Sequence, residues 1–138
     1  SGRNPWVTPV FFAYDGKGDF YWGSPKDALH SNNIAKNPNV AITIFNSTEP
    51  SETVDGLYVK AKAKQARGKE LLKGIALLAK KGLEKNMVLK TDFLGRSPLR
   101  VYSAHATQMW LLGEEKFYHG QYVDGRVEVI WSPAIMVQ

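Results

Sequence analysis

The chain contains no cysteine. That absence rules out a disulfide framework, a thiolate metal site and a cysteine nucleophile, and it fits a reducing compartment. No apolar run reaches the roughly 20 residues that a membrane-spanning helix needs. No signal-peptide pattern opens the chain. These absences point to a soluble, cytoplasmic protein that does not partner a membrane. Enzyme signatures are sparse as well. There is no GxSxG elbow, no P-loop and no GxGxxG fingerprint. The three histidines, His30, His105 and His119, lie far apart without i, i+4 spacing or a carboxylate motif, so no metal site is expected. No acid, base or nucleophile stands out, and catalytic residues stay unassigned. Any redox chemistry would have to be carried by a cofactor.

What is present fits one globular domain spanning 1–138. The 138 residues are 43% hydrophobic and 22% charged, an ordinary balance for a folded chain. Six Phe, six Tyr and four Trp fall largely in short runs such as Phe11-Phe12 and Phe20-Tyr21-Trp22, which suit strands. The net charge is +5, unevenly placed: residues 60–90 hold 10 of the 18 Lys/Arg, opposed there only by Glu70 and Glu84. Such a segment suits nucleic acid or an anionic ligand. A solvated basic face explains it more simply, so nucleic acid is not expected as a partner.

The pattern along the chain reads as mainly β. Residues 6–15 form a strand candidate, Asp15-Gly16-Lys17-Gly18 a turn, and residues 19–22 the returning strand of a hairpin. Ser24 is placed to cap a helix with Pro25 at its first position, the helix running from about Lys26 to Lys36. Asn37-Pro38-Asn39 ends it. Val40, Ile42 and Ile44 share one face of a strand over 40–46, and a polar loop follows to residue 55. Residues 57–65 alternate cleanly, with Lys60, Lys62 and Lys64 opposite Val59, Ala61 and Ala63. From Gly68 to Leu83 the period lengthens. Leu71, Leu72, Ile75, Leu78 and Ala79 make a helical stripe, and Gly82 is placed near the helix end. Residues 99–102 and 108–112 read as two strands. Residues 117–123 and 126–131 read as a hairpin around Asp124-Gly125.

Residues 5–46 carry a more specific pattern. Pro5-Trp6-Val7-Thr8-Pro9-Val10 is followed by Phe20-Tyr21-Trp22-Gly23-Ser24, then Lys26, then His30-Ser31-Asn32-Asn33-Ile34, then Asn37-Pro38-Asn39-Val40. In this order and spacing the chain resembles the pyridoxamine 5′-phosphate oxidase-like family of FMN-binding split barrels. The likeness continues more loosely through residues 57–65, 99–110 and Asp124-Gly125-Arg126. It implies an α+β, mainly β fold: a six-stranded antiparallel Greek-key split barrel with flanking helices, paired as a homodimer. It places Ser1–Pro5 at the turn after a first strand that would precede residue 1.

By the same resemblance, the backbone of Val7, Thr8, Pro9 and Val10 would line the isoalloxazine ring of FMN, and Tyr21 and Trp22 would border it. The turn and helix that follow would hold the phosphate, through Ser24, Lys26, His30, Ser31 and Asn33. A helix N-terminus suits an anion because its free amides and its dipole both favour negative charge. Each of these residues also has a plainer role, Trp22 capping a barrel end and Asn37-Pro38 stopping a helix. It is their ordered set that points to a flavin.

The pattern also departs from the family. The oxidases carry an adjacent Arg-Lys pair at the phosphate. Aligned on Asn37-Pro38, Leu29-His30 stands there; aligned on Ser24, Pro25-Lys26 does. Either alignment loses a strong cation, and the choice between Lys26 and His30 as phosphate contact stays open. The basic C-terminal segment that holds pyridoxal phosphate in the oxidases is not found. The resemblance therefore implies an FMN-dependent oxidoreductase with a small-molecule electron donor and acceptor, acting on something other than pyridoxamine phosphate. The alternative is a non-catalytic protein binding flavin, deazaflavin or haem.

Overall fold

The computed structural model describes residues 4–50, 55–84, 93, 95–123 and 125–130. The described elements run β1 (Phe12–Tyr14), β2 (Asp19–Pro25), α1 (Leu29–Lys36), β3 (Asn39–Phe45), β4 (Gly56–Gln65), α2 (Gly68–Glu84), β5 (Leu99–Leu112), β6 (Lys116–Tyr118), β7 (Gln121–Val123) and β8 (Arg126–Glu128). The structure is mainly β. One antiparallel sheet has the order β1-β2-β5-β4-β3, with β8 also paired to β5, and β6 and β7 form a separate ribbon. The sheet is open: among the described residues no ladder joins β1 to β3, so a closed barrel is not formed.

The first hairpin turns where its residues direct it. Gly16 and Gly18 take positive φ. Asp15 Oδ1 accepts the amides of Lys17 and Asp19 at 2.7 and 3.0 Å. Its other oxygen accepts Lys73 Nζ at 2.5 Å. Burial pushes the Asp15 carboxyl up, but these donors outweigh it and hold the group below the usual carboxylate range. The turn is thereby tied to α2. The ladder pairs Phe12 with Trp22 and Tyr14 with Phe20.

β1 is shorter than the sequence suggests. Instead of spanning 6–15 it covers three residues, because the ladder stops at Phe12, whose carbonyl accepts Lys81 Nζ of α2. Residues 5–11 lie outside the ladders. A second correction concerns Ser24 and Pro25, which do not open a helix. They belong to β2, paired to Arg100 and Leu99. α1 begins later, with Ala28 at its cap and no side chain capping it.

The two faces of the sheet bury two cores. Phe20, Trp22, Val59, Ala61, Ala63, Tyr102, Ala104, Ala106 and Met109 fill one, with Ile34 of α1 and the β3 row Val40, Ile42 and Ile44 packed against it. The period-two expectation for β4 holds: Lys60, Lys62 and Lys64 are exposed while Val59, Ala61 and Ala63 are buried. The other core joins Tyr21, Val101 and Ala13 to Ile75 and Leu78 of α2. Leu72, expected in the α2 stripe, is 68% exposed. One residue beyond Leu71, it is rotated about 100° off the buried face.

β5 is one strand of 14 residues where two were expected. The small residues between its ends are not a break. Ala104 and Ala106 are buried in the core on one face of the sheet. Thr107 is the extra residue of a bulge, since Ala61 pairs Ala106 while Lys60 pairs Gln108. The Thr107 hydroxyl donates to the Lys60 carbonyl at 3.1 Å.

The chain end also differs from expectation. Residues 117–123 are not one strand but a ribbon that turns at His119-Gly120, both at positive φ, the geometry a two-residue hairpin requires. Residues 126–128 pair with β5 instead. Asp124 and Trp131, assigned to the expected hairpin, lie outside the described residues, as do Lys85 and Lys90 of the basic segment. No helix among the described residues is long and apolar enough to cross a membrane.

α2 approaches the sheet closely at Gly74. A Cβ there would stand 2.7 Å from Tyr21 Cδ1 and 2.9 Å from Val101 Cγ1, both in the packed core. Gly74→Ala gains about 1 kcal/mol of helix propensity but overpacks, at a cost of about 1–3 kcal/mol. Urea unfolding is expected to show net destabilisation of up to about 2 kcal/mol. A more stable variant would mean that the helix does not sit this close.

Candidate functional site

The sequence-derived site residues gather at one end of β2 and the start of α1, though not all converge. On a strand, alternate residues share a face. Trp22 and Ser24 therefore point the same way, and Tyr21 points the other. Tyr21 is 1% exposed and belongs to the core under α2. Its ring packs near Gly74 and beneath Lys73 Nζ.

Trp22 is 6% exposed and stacks on Tyr102 at 6.0 Å between ring centroids. Its indole N–H is buried and has no acceptor among the described residues. A buried donor without a partner costs about 1–3 kcal/mol, and an indole nitrogen can only donate. The position thus calls for an acceptor that the described residues do not supply.

One step along the same face, Ser24 Oγ and His30 Nε2 are hydrogen-bonded at 2.7 Å. Ser24 is buried, held by the β2–β5 ladder, while His30 comes from the first turn of α1. Burial pushes the His30 imidazole below its ordinary value, so it is neutral at pH 7. The buried Ser31 hydroxyl donates to the Pro25 carbonyl at 2.8 Å, which locks α1 onto the end of β2. Lys26 and Asn33 are exposed. The Lys26 amide, rather than its ammonium, is engaged, donating to the Pro98 carbonyl at 3.1 Å.

The N-terminus of α1 is open in the sense that matters for an anion. Its first turn carries no acidic residue. The amides of Leu29, His30 and Ser31 meet no acceptor among the described residues. Free amides, a helix dipole and the Ser24–His30 pair thus lie together.

Val7, Thr8, Pro9 and Val10 do not close over this end within one chain. Val7 is 89% exposed, Val10 and Pro9 are exposed, and Thr8 is half-buried. Thr8 Oγ1 accepts the Trp6 indole N–H at 2.8 Å. The main chain of 5–10 makes no ladder pairing among the described residues, so its donors and acceptors face outward.

One cation at this end escaped the sequence reading. Arg100 stands opposite Ser24 in the β2–β5 ladder and is half-buried. Its Nη1 donates to the Ser97 and Leu99 carbonyls at 2.6 and 2.7 Å. The available signal was its place at the end of the alternate row Arg100, Tyr102, Ala104, Ala106, otherwise apolar. The unsatisfied state of the Trp22 N–H had no sequence signal, since it depends on what lies across the core.

No family model matches the chain, and no curated protein is similar to it. Solved structures do share its fold. The chain is similar to a haem-binding protein from Mycobacterium smegmatis, with TM-score 0.63 and 18% identity over 89% of this chain and 48% of that one. It is similar to a pyridoxamine 5′-phosphate oxidase-like protein from Listeria innocua, with TM-score 0.60 and 19% identity over 81% and 82%. An FAD-binding protein from Mesorhizobium loti gives TM-score 0.59 and 15% identity over 80% and 78%. The chain spans about half the length of the mycobacterial protein. At these identities the likeness establishes the fold, which is that of the pyridoxamine 5′-phosphate oxidase-like proteins.

The depressed His30 pKa has a signed consequence. A histidine that resists protonation in the folded state contributes stability above its unfolded value of about 6.5. That contribution is lost as pH falls from there towards the folded value. NMR titration of the ligand-free protein should place the His30 midpoint below 6.5, and His30→Gln should flatten the loss of stability over that range. A midpoint above 6.5 would show that the imidazole is not desolvated.

Proposed function

We propose that the chain is an FMN-binding oxidoreductase of the split-barrel type. The observation that carries this reading is the buried Trp22 indole N–H with no acceptor among the described residues. It lies on the strand face that also holds the Ser24–His30 pair beside the open α1 N-terminus. A flavin offers ring oxygens and nitrogens that accept hydrogen bonds, and a phosphate that suits free helix amides. Ser24, His30 and the first-turn amides of α1 would hold the phosphate. Trp22 would donate to the ring system, and the main chain of Val7–Val10 would meet its polar edge. Lys26 would contribute charge from solvent. When bound, the flavin supplies hydride or electron transfer between a small-molecule donor and acceptor. The chain's part is to bind and orient the ring and to shield it from water.

The strand order supports the split-barrel part of this reading. Along β2-β5-β4-β3, the strand β2 returns to lie beside β5, as a Greek key requires. A homodimer belongs to the same reading. Trp6, Val7, Phe117 and Tyr122 are all more than half exposed, and a second copy laid over residues 5–10 would complete the cofactor's enclosure. We place the protein in the cytoplasm, in keeping with a chain free of cysteine. Haem is the rival ligand. It needs an axial ligand, whereas His30 is drawn onto Ser24, His105 onto Asp19 at 2.6 Å, and His119 lies in the β6–β7 turn.

The test is to load the protein with FMN, desalt it, and compare wild type with Trp22→Phe. Wild type should retain about one flavin per subunit. Trp22→Phe removes an unsatisfied donor, so the ligand-free variant should melt no lower than wild type, while its FMN affinity falls about tenfold or more. Flavin binding should also raise the His30 pKa, because the phosphate favours the imidazolium. A Soret band in the purified protein, or equal FMN retention by both proteins, would defeat the proposal.

A further inference from the structure

A cavity of about 390 Å³ opens where β4 passes into α2 and β5 begins. Its volume lies within the usual range of small-molecule pockets, about 300–1,000 Å³. The floor is apolar, built from Phe93, Leu71 and Val101. The rim carries Arg67 and Arg100, and no acidic residue lines it among those described. The N-terminus of α2, at Gly68, borders the same space.

Three features set its electrostatics. First, Arg100 is held in place. Nη1 is fixed on the carbonyls of Ser97 and Leu99, while Nε and Nη2 have no acceptor among the described residues. An oriented guanidinium with donors to spare is suited to a carboxylate or phosphate. Second, the acid of the first α2 turn is drawn away from the cavity. Glu70 accepts from Ser103 Oγ at 2.7 Å and pairs with Lys64 at 3.1 Å, on the sheet side of the helix. Third, the helix dipole adds to the two cations at an end that Glu70 no longer neutralises.

We propose that this cavity is a second ligand site, for a small organic anion with an apolar, ring-sized body, such as an aromatic carboxylate. The charged group would lie against Arg100 and Arg67, with the body on Phe93, Leu71 and Val101. The assignment does not rest on the flavin reading. The apolar floor lies on the opposite face of β2 from the Ser24–His30 pair, while Arg100, the ladder partner of Ser24, borders both.

Calorimetric titration of the full chain with 1-naphthoate, and separately with the neutral 1-naphthalenemethanol, tests the site. Naphthoate should bind at least about tenfold more tightly than the alcohol, as a charge-assisted hydrogen bond of about 1.5–3 kcal/mol implies. Arg100→Gln and Arg67→Gln should each weaken naphthoate and leave the alcohol unchanged. Arg67 is exposed and makes no structural hydrogen bond through its side chain among the described residues, so Arg67→Gln remains informative even if Arg100→Gln disturbs the fold. FMN retention, measured on the same samples, should not change in Arg67→Gln. Equal affinity for the two compounds would overturn the proposal. So would unchanged naphthoate binding in the Arg67 variant, or displacement of naphthoate by FMN, which would make the cavity part of the cofactor site.

Discussion

The two-sided burial of β5 is the constraint on which the rest of the molecule hangs. This strand is paired along one edge to β2 and, further on, to β8, and along the other edge to β4. Its residues alternate between two cores. Tyr102, Ala104, Ala106 and Met109 enter one, and Val101 enters the other beneath α2. Sheet pairing spaces neighbouring strands at about 4.8 Å, so the position of β5 determines where Trp22 and Ser24 stand and how near α2 can come. The small side chains of Ala104 and Ala106 let Phe20, Trp22 and Tyr102 fill the space between the sheet and α1. The bulge at Thr107 then lets Met109 continue on the same face.

From that frame the candidate site follows as an incomplete polar arrangement. Ser24 is satisfied by His30, and Ser31 by the carbonyl of Pro25. The Trp22 N–H and the first-turn amides of α1 are not satisfied among the described residues. Native interiors leave few buried donors unpaired, and here several are gathered at one end of one strand and helix. The half-buried His30 imidazole, lowered in pKa by burial, stands beside the first-turn amides of α1. Anion binding there would depend more on hydrogen bonding than on charge, and it would be coupled to the protonation of His30.

Local pattern announced much of the fold. The Lys60–Lys64 alternation, the Leu71–Leu78 period and the Asp15–Gly18 turn were legible because each depends on neighbours within a few residues, and the structure carries all three. The misreadings share one cause. Ser24-Pro25 has the local form of a helix start, but the ladder with Arg100 and Leu99 keeps both residues in β2. Residues 103–107 look like a break because most are small or polar, yet Ser103, Ala104 and Ala106 are buried within one continuous strand. Residues 117–123 have the form of one strand, but a turn at His119-Gly120 divides them.

The sequence by itself determined the class of the fold, the periodic elements, and the order of the candidate residues between Val7 and Asn33. These are matters of side-chain type and spacing, which the chain carries locally. Only the tertiary structure decided which of those residues meet. It turned Tyr21 into the α2 core and left Trp22 with a buried, unanswered donor. It bonded Ser24 to His30 and, by partly burying the imidazole, lowered its pKa. It left Val7–Val10 facing outward, and it brought Arg67 and Arg100 to one cavity from positions 33 residues apart. Burial and hydrogen-bond satisfaction depend on what stands across the core, and a linear pattern does not contain that partner.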